Sequence, residues 1–319
     1  MFLAVILFAV GLVCLIKGGD WFVDGATGIA HHFNMPEILI GATVVSIGTT
    51  LPEVMVSVTS ALEGHGEIAY GNAIGSVICN TALIAALVIT VIPSTVDKKS
   101  FKIPVIFFFI AAAIYVFSAY FKGRFGRTTG FVLLGVFVVY MIITVRHALK
   151  DAKDSLADKK ADKPLTKEVF LLAVGGVFIA VGAKLLVSNG TVLARAMGVP
   201  ESVIALTFVA LGTSLPELVT AITALIKGRG ALSLGNIVGA NLFNLVLVSG
   251  LSVICSPFTI PQSSTLGGFN TSLVLDIPVM LFVMAFMTIP ALVRGRLSRA
   301  QGIVLLVIYA AFCAIQFSV

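Results

Sequence analysis

Charge is what this chain has least of. Only 11% of its 319 residues are Asp, Glu, Lys or Arg, against about a quarter in soluble domains, and so few charges cannot clothe a water-facing surface. Cysteine is scarce as well. Cys14, Cys79, Cys255 and Cys313 all lie in apolar stretches with no CxxC spacing, which excludes a disulfide framework and a zinc site and leaves four small apolar side chains. The glycine-rich phosphate loop of ATP-binding proteins is missing, so any work the protein does against a gradient is expected to draw on a second gradient. Basic residues interleaved with aromatics are missing too. The net charge of +6 therefore does not read as a nucleic-acid surface, because its lysines and arginines sit in short segments between apolar runs. Finally, the first residues, Met1 to Val5, show neither a basic n-region nor a clear small-residue cleavage site, so they are expected to begin a first span and not a removed signal peptide.

What is present is apolar: 58% of residues are hydrophobic and the mean hydropathy is +1.09. A membrane-spanning helix needs roughly 20 mostly apolar residues. That criterion yields ten candidate spans, at about 2–30, 36–62, 67–92, 101–121, 128–147, 168–197, 200–226, 231–256, 271–293 and 300–318. The one polar segment of mixed charge lies between the fifth and the sixth. It divides the chain into a first unit of five helices, residues 1–147, a linker, 148–167, and a second unit of five, 168–319.

The two units repeat each other. At a constant offset of 164 the match runs without gaps from Gly18 against Gly182, through Thr27 against Thr191 and Pro36 against Pro200, to Asn80 against Asn244. Lipid-facing composition alone does not place identical Gly, Pro, Glu and Asn at a fixed offset. Five spans per unit is an odd number, so equivalent helices must cross in opposite directions. The expected fold is therefore an all-α integral membrane protein of ten transmembrane helices, arranged as two inverted-topology repeats of five. The linker carries Arg146, Lys150, Lys153, Lys159, Lys160, Lys163 and Lys167 and is expected on the cytoplasmic side, which puts both termini outside. Lys122, Arg124 and Arg127 run against that rule, but Lys98, Lys99, Lys102, Lys227, Arg229, Arg294, Arg296 and Arg299 agree with it.

Two copies of one short motif stand out: Gly48-Thr49-Thr50-Leu51-Pro52-Glu53 and Gly212-Thr213-Ser214-Leu215-Pro216-Glu217. A carboxylate inside a span is costly, and proline removes a helical hydrogen bond and crowds the carbonyl four residues earlier. Each motif is therefore expected to break its helix and to gather carbonyl and hydroxyl oxygens beside a glutamate. Hard cations want such a set; calcium takes six to eight oxygens at about 2.3–2.6 Å.

The next span of each unit carries Gly71-Asn72-Ala73-Ile74-Gly75-Ser76-Val77-Ile78-Cys79-Asn80 and Gly235-Asn236-Ile237-Val238-Gly239-Ala240-Asn241-Leu242-Phe243-Asn244. Spacing of four puts Ser76 and Asn80 on one face, and Gly71 and Gly75 on another that can pack closely against a neighbouring helix. The glycines need no role beyond packing. Asn80 and Asn244 fit an interhelical hydrogen bond as well as a cation ligand.

Together the paired motifs resemble the two alpha repeats of the sodium/calcium exchanger family, prokaryotic type, within the calcium:cation antiporter superfamily. The resemblance covers the whole chain apart from the linker. It implies that Glu53 and Glu217 are shared calcium and sodium ligands. It further implies that Thr49, Thr213, Thr50, Ser214 and the backbone near Ser46 and Ala210 contribute oxygens, with Ser76, Asn80 and Asn244 completing the set. Ala240 departs from the pattern, because many members have a serine there that supplies a hydroxyl to a sodium site. Asn244 stands where potassium-dependent relatives usually carry aspartate, and the Asn-Glu that usually precedes Pro-Glu in proton-coupled relatives is not found. The implied activity is secondary antiport of sodium against calcium by alternating access, with calcium, sodium and the lipid bilayer as partners and no cofactor. A proton/calcium exchanger using the same glutamates is the alternative.

Two other classes were weighed. A channel could use an oxygen-lined interior, and an intramembrane hydrolase could use paired carboxylates as acid and base. The hydrolase is disfavoured because the two glutamates occupy equivalent repeat environments, whereas acid and base need pKa values pushed apart.

Among the remaining polar residues, Lys17, Asp20 and Asp24 are expected to form an ion-paired cluster on the first helix. His31-His32 sits at a span end without partners at metal-ligand spacing and is expected to be interfacial. Asp276, beside Pro278, is either a hydrogen-bonded structural residue or an accessory ion or proton site.

Overall fold

The computed structural model describes residues 2–33, 35–93, 95–154, 164–197, 212–262 and 265–318. Helices account for nearly all of them: α1 Phe2–His32, α2 Glu37–Leu62, α3 Gly66–Val91, α4 Lys98–Lys122, α5 Arg127–Asp154, α6 Leu165–Ala196, α7 Leu215–Ile226, α8 Gly230–Cys255, α9 Ser272–Arg294 and α10 Arg299–Ser318. Among the described residues nine of these are long and apolar enough to cross a membrane, and α7, of 12 residues, is a shorter apolar helix. The first part of the seventh expected span, residues 200–211, lies outside the described residues. The chain is thus an all-helical membrane protein. Helix α5 runs on to Asp154 and α6 begins at Leu165, so helix reaches into both ends of the segment expected to be a linker. Lys and Ala are good helix formers and the segment has no proline before Pro164, so polarity alone does not end a helix.

Burial sorts the helices into two groups. In α8, α3 and α2 the apolar stretches are 83%, 72% and 61% buried, against 28% in α1, 22% in α6 and 17% in α10. The motif-bearing helices are therefore the interior of the protein. The aromatic rings of Tyr70, Tyr115, Phe125 and Phe258 cluster beside them. Two short strand pairs, Arg124–Phe125 with Phe258–Thr259 and Thr265–Leu266 with Phe269–Asn270, tie loops that hydropathy does not resolve.

Helices α1 and α6 pack at near-backbone distance through glycine. A Cβ on Gly11 would stand 3.0 Å from the Gly182 carbonyl oxygen, and one on Gly18 would stand 2.9 Å from that of Gly175. Ascending α1 means descending α6, so these two helices, equivalent by the 164 offset, are antiparallel. The contacts are also reciprocal, because Gly175 is the counterpart of Gly11 and Gly182 that of Gly18.

The expected break at Pro52 is corrected by the structure. α-Helix runs without interruption from Ser46 to Leu62 with Pro52 inside it, and the irregularity lies upstream, as a π-helical turn at Gly41–Val45. Proline still leaves the Gly48 carbonyl without its helical donor. Pro216 behaves differently, sitting in the first turn of α7 where no donor is lost. Further π-turns begin at Asn80 and at Asn244, again 164 residues apart. A π-turn leaves carbonyls outside the α-helical ladder, and other groups take them up. Tyr140 donates its hydroxyl to the Ala42 carbonyl at 2.8 Å, and Ser249 donates to that of Asn244 at 3.0 Å.

Close packing at the glycines is confined to one repeat among the described residues. Gly235 lies against Ile38, and Gly239 against Ala42 and Ser46, too close for any side chain. Nothing described lies within 4 Å of a Cβ on Gly71 or Gly75. Their partners by the same offset would be residues 202 and 206, outside the described residues.

Candidate cation-binding site

Four oxygen-bearing side chains project from one stretch of α2. Ser46, Thr49, Thr50 and Glu53 are all buried, with the Glu53 and Thr50 side chains fully so. The second motif delivers its groups from a turn and a helix start: Thr213 and Ser214 precede α7, and Glu217 lies in its first turn, fully buried. Ser76 is buried on α3, and Asn80 and Asn244 are fully buried at the start of their π-turns. Ala210 lies outside the described residues.

The two motifs converge. Gly48, Thr49 and Pro52 of the first and Pro216 of the second line one small cavity, and Thr49 and Thr213 each bond to an asparagine of the other half. The first and second motifs, 164 residues apart in sequence, therefore share one interior locus with Asn72 of α3 and Asn236 of α8 beside it.

Two residues of the second cluster hold the locus together, Asn72 and Asn236. The Thr49 hydroxyl donates to Asn236 Oδ1 at 3.2 Å, and the Thr213 hydroxyl to Asn72 Oδ1 at 3.4 Å. These contacts are reciprocal under the 164 offset, as the α1 and α6 glycine contacts are. Asn72 Nδ2 also donates to the Ser57 hydroxyl at 2.8 Å and to the Glu53 carbonyl at 3.3 Å. The Ser46 hydroxyl lies 2.7 Å from the Gly41 carbonyl oxygen and 2.9 Å from that of Asn236. Sequence reasoning singled out neither asparagine, although both stood in the quoted motifs. Their offset identity was the available signal. Asn72→Ala is expected to loosen Thr213 and the backbone of Glu53 together, weakening cation binding at this locus by about tenfold, the scale of a lost supporting contact. Titrating the unfolding temperature with added divalent cation checks this, and an unchanged midpoint counts against it.

The ligand-like character of the locus shows in what remains unbonded. Neither carboxylate oxygen of Glu53 or Glu217, and neither polar side-chain atom of Asn80 or Asn244, has a hydrogen-bond partner among the described residues, and the hydroxyls of Thr50 and Ser214 share that state. Each buried polar group left so costs about 1–3 kcal/mol, and a charged one more. A fold tolerates that concentration where a ligand takes up the oxygens. Among the described residues no group of three His, Cys, Asp or Glu could hold a metal. The locus is two carboxylates among neutral oxygens, which suits a hard cation and not a resident transition metal.

Beside it, a cavity of about 810 Å³ runs between α2 and α6, lined by Gly48, Pro52, Met55, Gly176, Lys184 and Thr213 among others.

The family model described as "Sodium/calcium exchanger protein" matches residues 3–146 and 167–318. The chain belongs to the sodium/calcium exchanger family. Among its relatives, the inner membrane protein YrbG of Escherichia coli is 36% identical over 81% of each chain. The sodium/calcium exchanger MaX1 of Methanosarcina acetivorans is 28% identical over 98% of each. Solved structures of the sodium-calcium exchanger NCX_Mj superpose with a TM-score of 0.82 at 30% identity, covering 98% of both chains. This exchanger-family chain is accordingly a cation/calcium antiporter, a transporter and not an enzyme.

The other polar residues of this family member fall into place with one correction. Asp20 and Asp24 pair with Lys227, at 3.4 and 2.8 Å, and not with Lys17. Helical spacing brought Lys17 and the aspartates to one side of α1 but could not show the loop that packs there. His31 Nε2 lies 3.6 Å from Glu37 Oε1, which also accepts from Arg229 at 2.7 Å. Asp276, in a π-turn at the start of α9, accepts a hydrogen bond from the Gln316 amide, which fits the structural alternative.

Proposed function

We propose that the chain exchanges sodium for calcium at one site, with Glu53 and Glu217 as shared ligands and Thr49, Thr50, Thr213, Ser214, Ser76, Asn80, Asn244 and the backbone near Ser46 and Ala210 supplying neutral oxygens. The observation that carries this reading is the pair of fully buried, unbonded carboxylates, each directly after a proline that lines the same small cavity. Two such charges in low dielectric demand compensation. One calcium or more than one sodium provides it, and the two cannot occupy the same oxygens together, so competition couples their movements.

Alternating access would come from two inverted repeats, residues 1–147 and 168–319. The antiparallel, reciprocal packing of α1 on α6 and the crossed Thr–Asn contacts support that arrangement, as does a family match that falls separately in each half. Ten spans with a cytoplasmic linker and both termini outside, in a prokaryotic cytoplasmic membrane, complete the reading. The inner-membrane relative of Escherichia coli supports that location.

Calcium flux into proteoliposomes under imposed sodium, proton and potassium gradients tests the coupling. An outward sodium gradient is expected to drive uptake. Uptake driven by a pH gradient in sodium-free buffer, with none from sodium, would assign the chain to proton/calcium exchange instead.

A further inference from the structure

The end of α7 is tied to α1 by charge. Lys227 closes α7, places Nζ 2.8 Å from Asp24 Oδ1 and 3.4 Å from Asp20 Oδ1, and donates to the Asp20 carbonyl at 2.9 Å. Asp20 and Asp24 are one turn apart, so one ammonium serves both.

Two of these three positions carry the opposite charge in the other half. The residue 164 before Lys227 is Glu63 and the residue 164 after Asp20 is Lys184, while the residue 164 after Asp24 is the neutral Ser188. Their backbone placement matches as well. Glu63 closes α2 at φ −78°, ψ 0°, and Lys227 closes α7 at φ −80°, ψ 3°. Each cap N–H bonds to equivalent carbonyls, those of Ala61 and Thr59 in one case and of Leu225 and Thr223 in the other. A sign change at one position alone would set like charges against each other. Both have changed, so complementarity is kept.

Yet the two pairs are not in the same state. Lys184 and Glu63 are both exposed and no ion pair joins them. Lys184 instead lines the cavity between α6 and α2, opposite Leu51, Met55 and Val56 of the helix that Glu63 closes. Where the Lys227 pair is shut, the equivalent place in the other half stands apart.

We propose that Lys227 with Asp20 and Asp24, and Lys184 with Glu63, are alternative ionic latches at opposite ends of the α1/α6 pair, only one of which closes at a time. The proposal rests on the alternating-access reading. Glycine contacts hold α1 and α6 at near-backbone distance, so the two helices shift as one body. A shift that carries Lys184 to Glu63 withdraws Asp20 and Asp24 from Lys227. Partly exposed ion pairs are weak, so each latch biases the equilibrium by at most about fivefold and does not lock it.

Cross-linking tests this without reference to the transported ion. In a background with the four cysteines replaced by alanine, Asp20→Cys/Lys227→Cys and Lys184→Cys/Glu63→Cys are treated with a short thiol cross-linker in vesicles under sodium, calcium or proton load. Each pair is expected to link, and in the four-cysteine variant the first link formed is expected to suppress the second. Adding Lys184→Glu to the Asp20→Cys/Lys227→Cys pair should raise its linking rate by up to about fivefold, and adding Glu63→Lys as well should return it to the starting value. Both links in one molecule, no link at 184 and 63 under any load, or indifference to Lys184→Glu would overturn the latch. A protein that links alternately but carries no sodium-driven calcium would keep the latch and lose the sodium/calcium reading.

Discussion

Glu53→Gln, and separately Glu217→Gln, should reduce sodium-driven calcium uptake by more than about 100-fold, equivalent to roughly 2.7 kcal/mol, while leaving a folded protein. Glutamine keeps the shape and one carbonyl oxygen but removes the charge that a calcium ion must balance, and it offers one coordinating oxygen where a carboxylate offers two. Either glutamate alone carries half the compensating charge, so each single change should be close to complete in effect. Stability should move the other way. Both carboxylates are buried without hydrogen-bond partners, so in buffer free of sodium and calcium the variants should unfold at the same temperature as the parent or higher. The parent, and not the variants, should gain stability as calcium is added, because a ligand that binds only the folded form stabilises it by mass action. Uptake at parental rate by a folded variant would sink the assignment of these residues. Loss of uptake with retained calcium stabilisation would move the site elsewhere.

Gly235→Ala and Gly239→Ala form the second large-effect pair, and their effect is on the fold before it is on transport. A methyl on Gly235 overlaps the Ile38 carbonyl and stands 2.9 Å from its Cα, and one on Gly239 lies 2.6 Å from the Ala42 Cα and overlaps the Ser46 hydroxyl. The obstacle is backbone, which cannot swing aside as a side chain can, so α2 and α8 must separate. Overpacking of a close interface costs typically 1–3 kcal/mol, occasionally more, and for a chain of this size that lowers the unfolding temperature by about 2–5 °C. Gly239→Ala should also depress transport in whatever protein folds, because Ser46 bonds to Asn236 and Asn236 accepts from Thr49. Thermal unfolding and uptake on the same preparations distinguish the two effects. An unfolding temperature within about 1 °C of the parent would show that the interface is slack.

Much of this was legible in the residues. Hydropathy located nine spanning helices among the described residues, missing only how far α5 runs on past residue 147, because lipid imposes a nearly uniform length on a spanning segment. The 164 offset aligned both buried glutamates and both asparagines that begin π-turns. Local helix geometry was less legible. Pro52 reads as a breaker, but α-helix runs through it from Ser46 to Leu62, and the irregular turn lies upstream at Gly41–Val45. Contacts made by loops were not legible at all. Lys227 reaches Asp20 and Asp24 across more than 200 residues of chain, and no period of 3.6 signals that. Asn72 and Asn236 were in plain view, but their task is to brace other ligands, and bracing is a matter of distance.

The crossed bracing makes the two halves of the chain depend on each other. Thr49 of one half leans on Asn236 of the other, and Thr213 on Asn72, so neither half braces its own threonine. Severing the chain between them would leave each threonine waiting on a partner that only reassembly of both pieces could return.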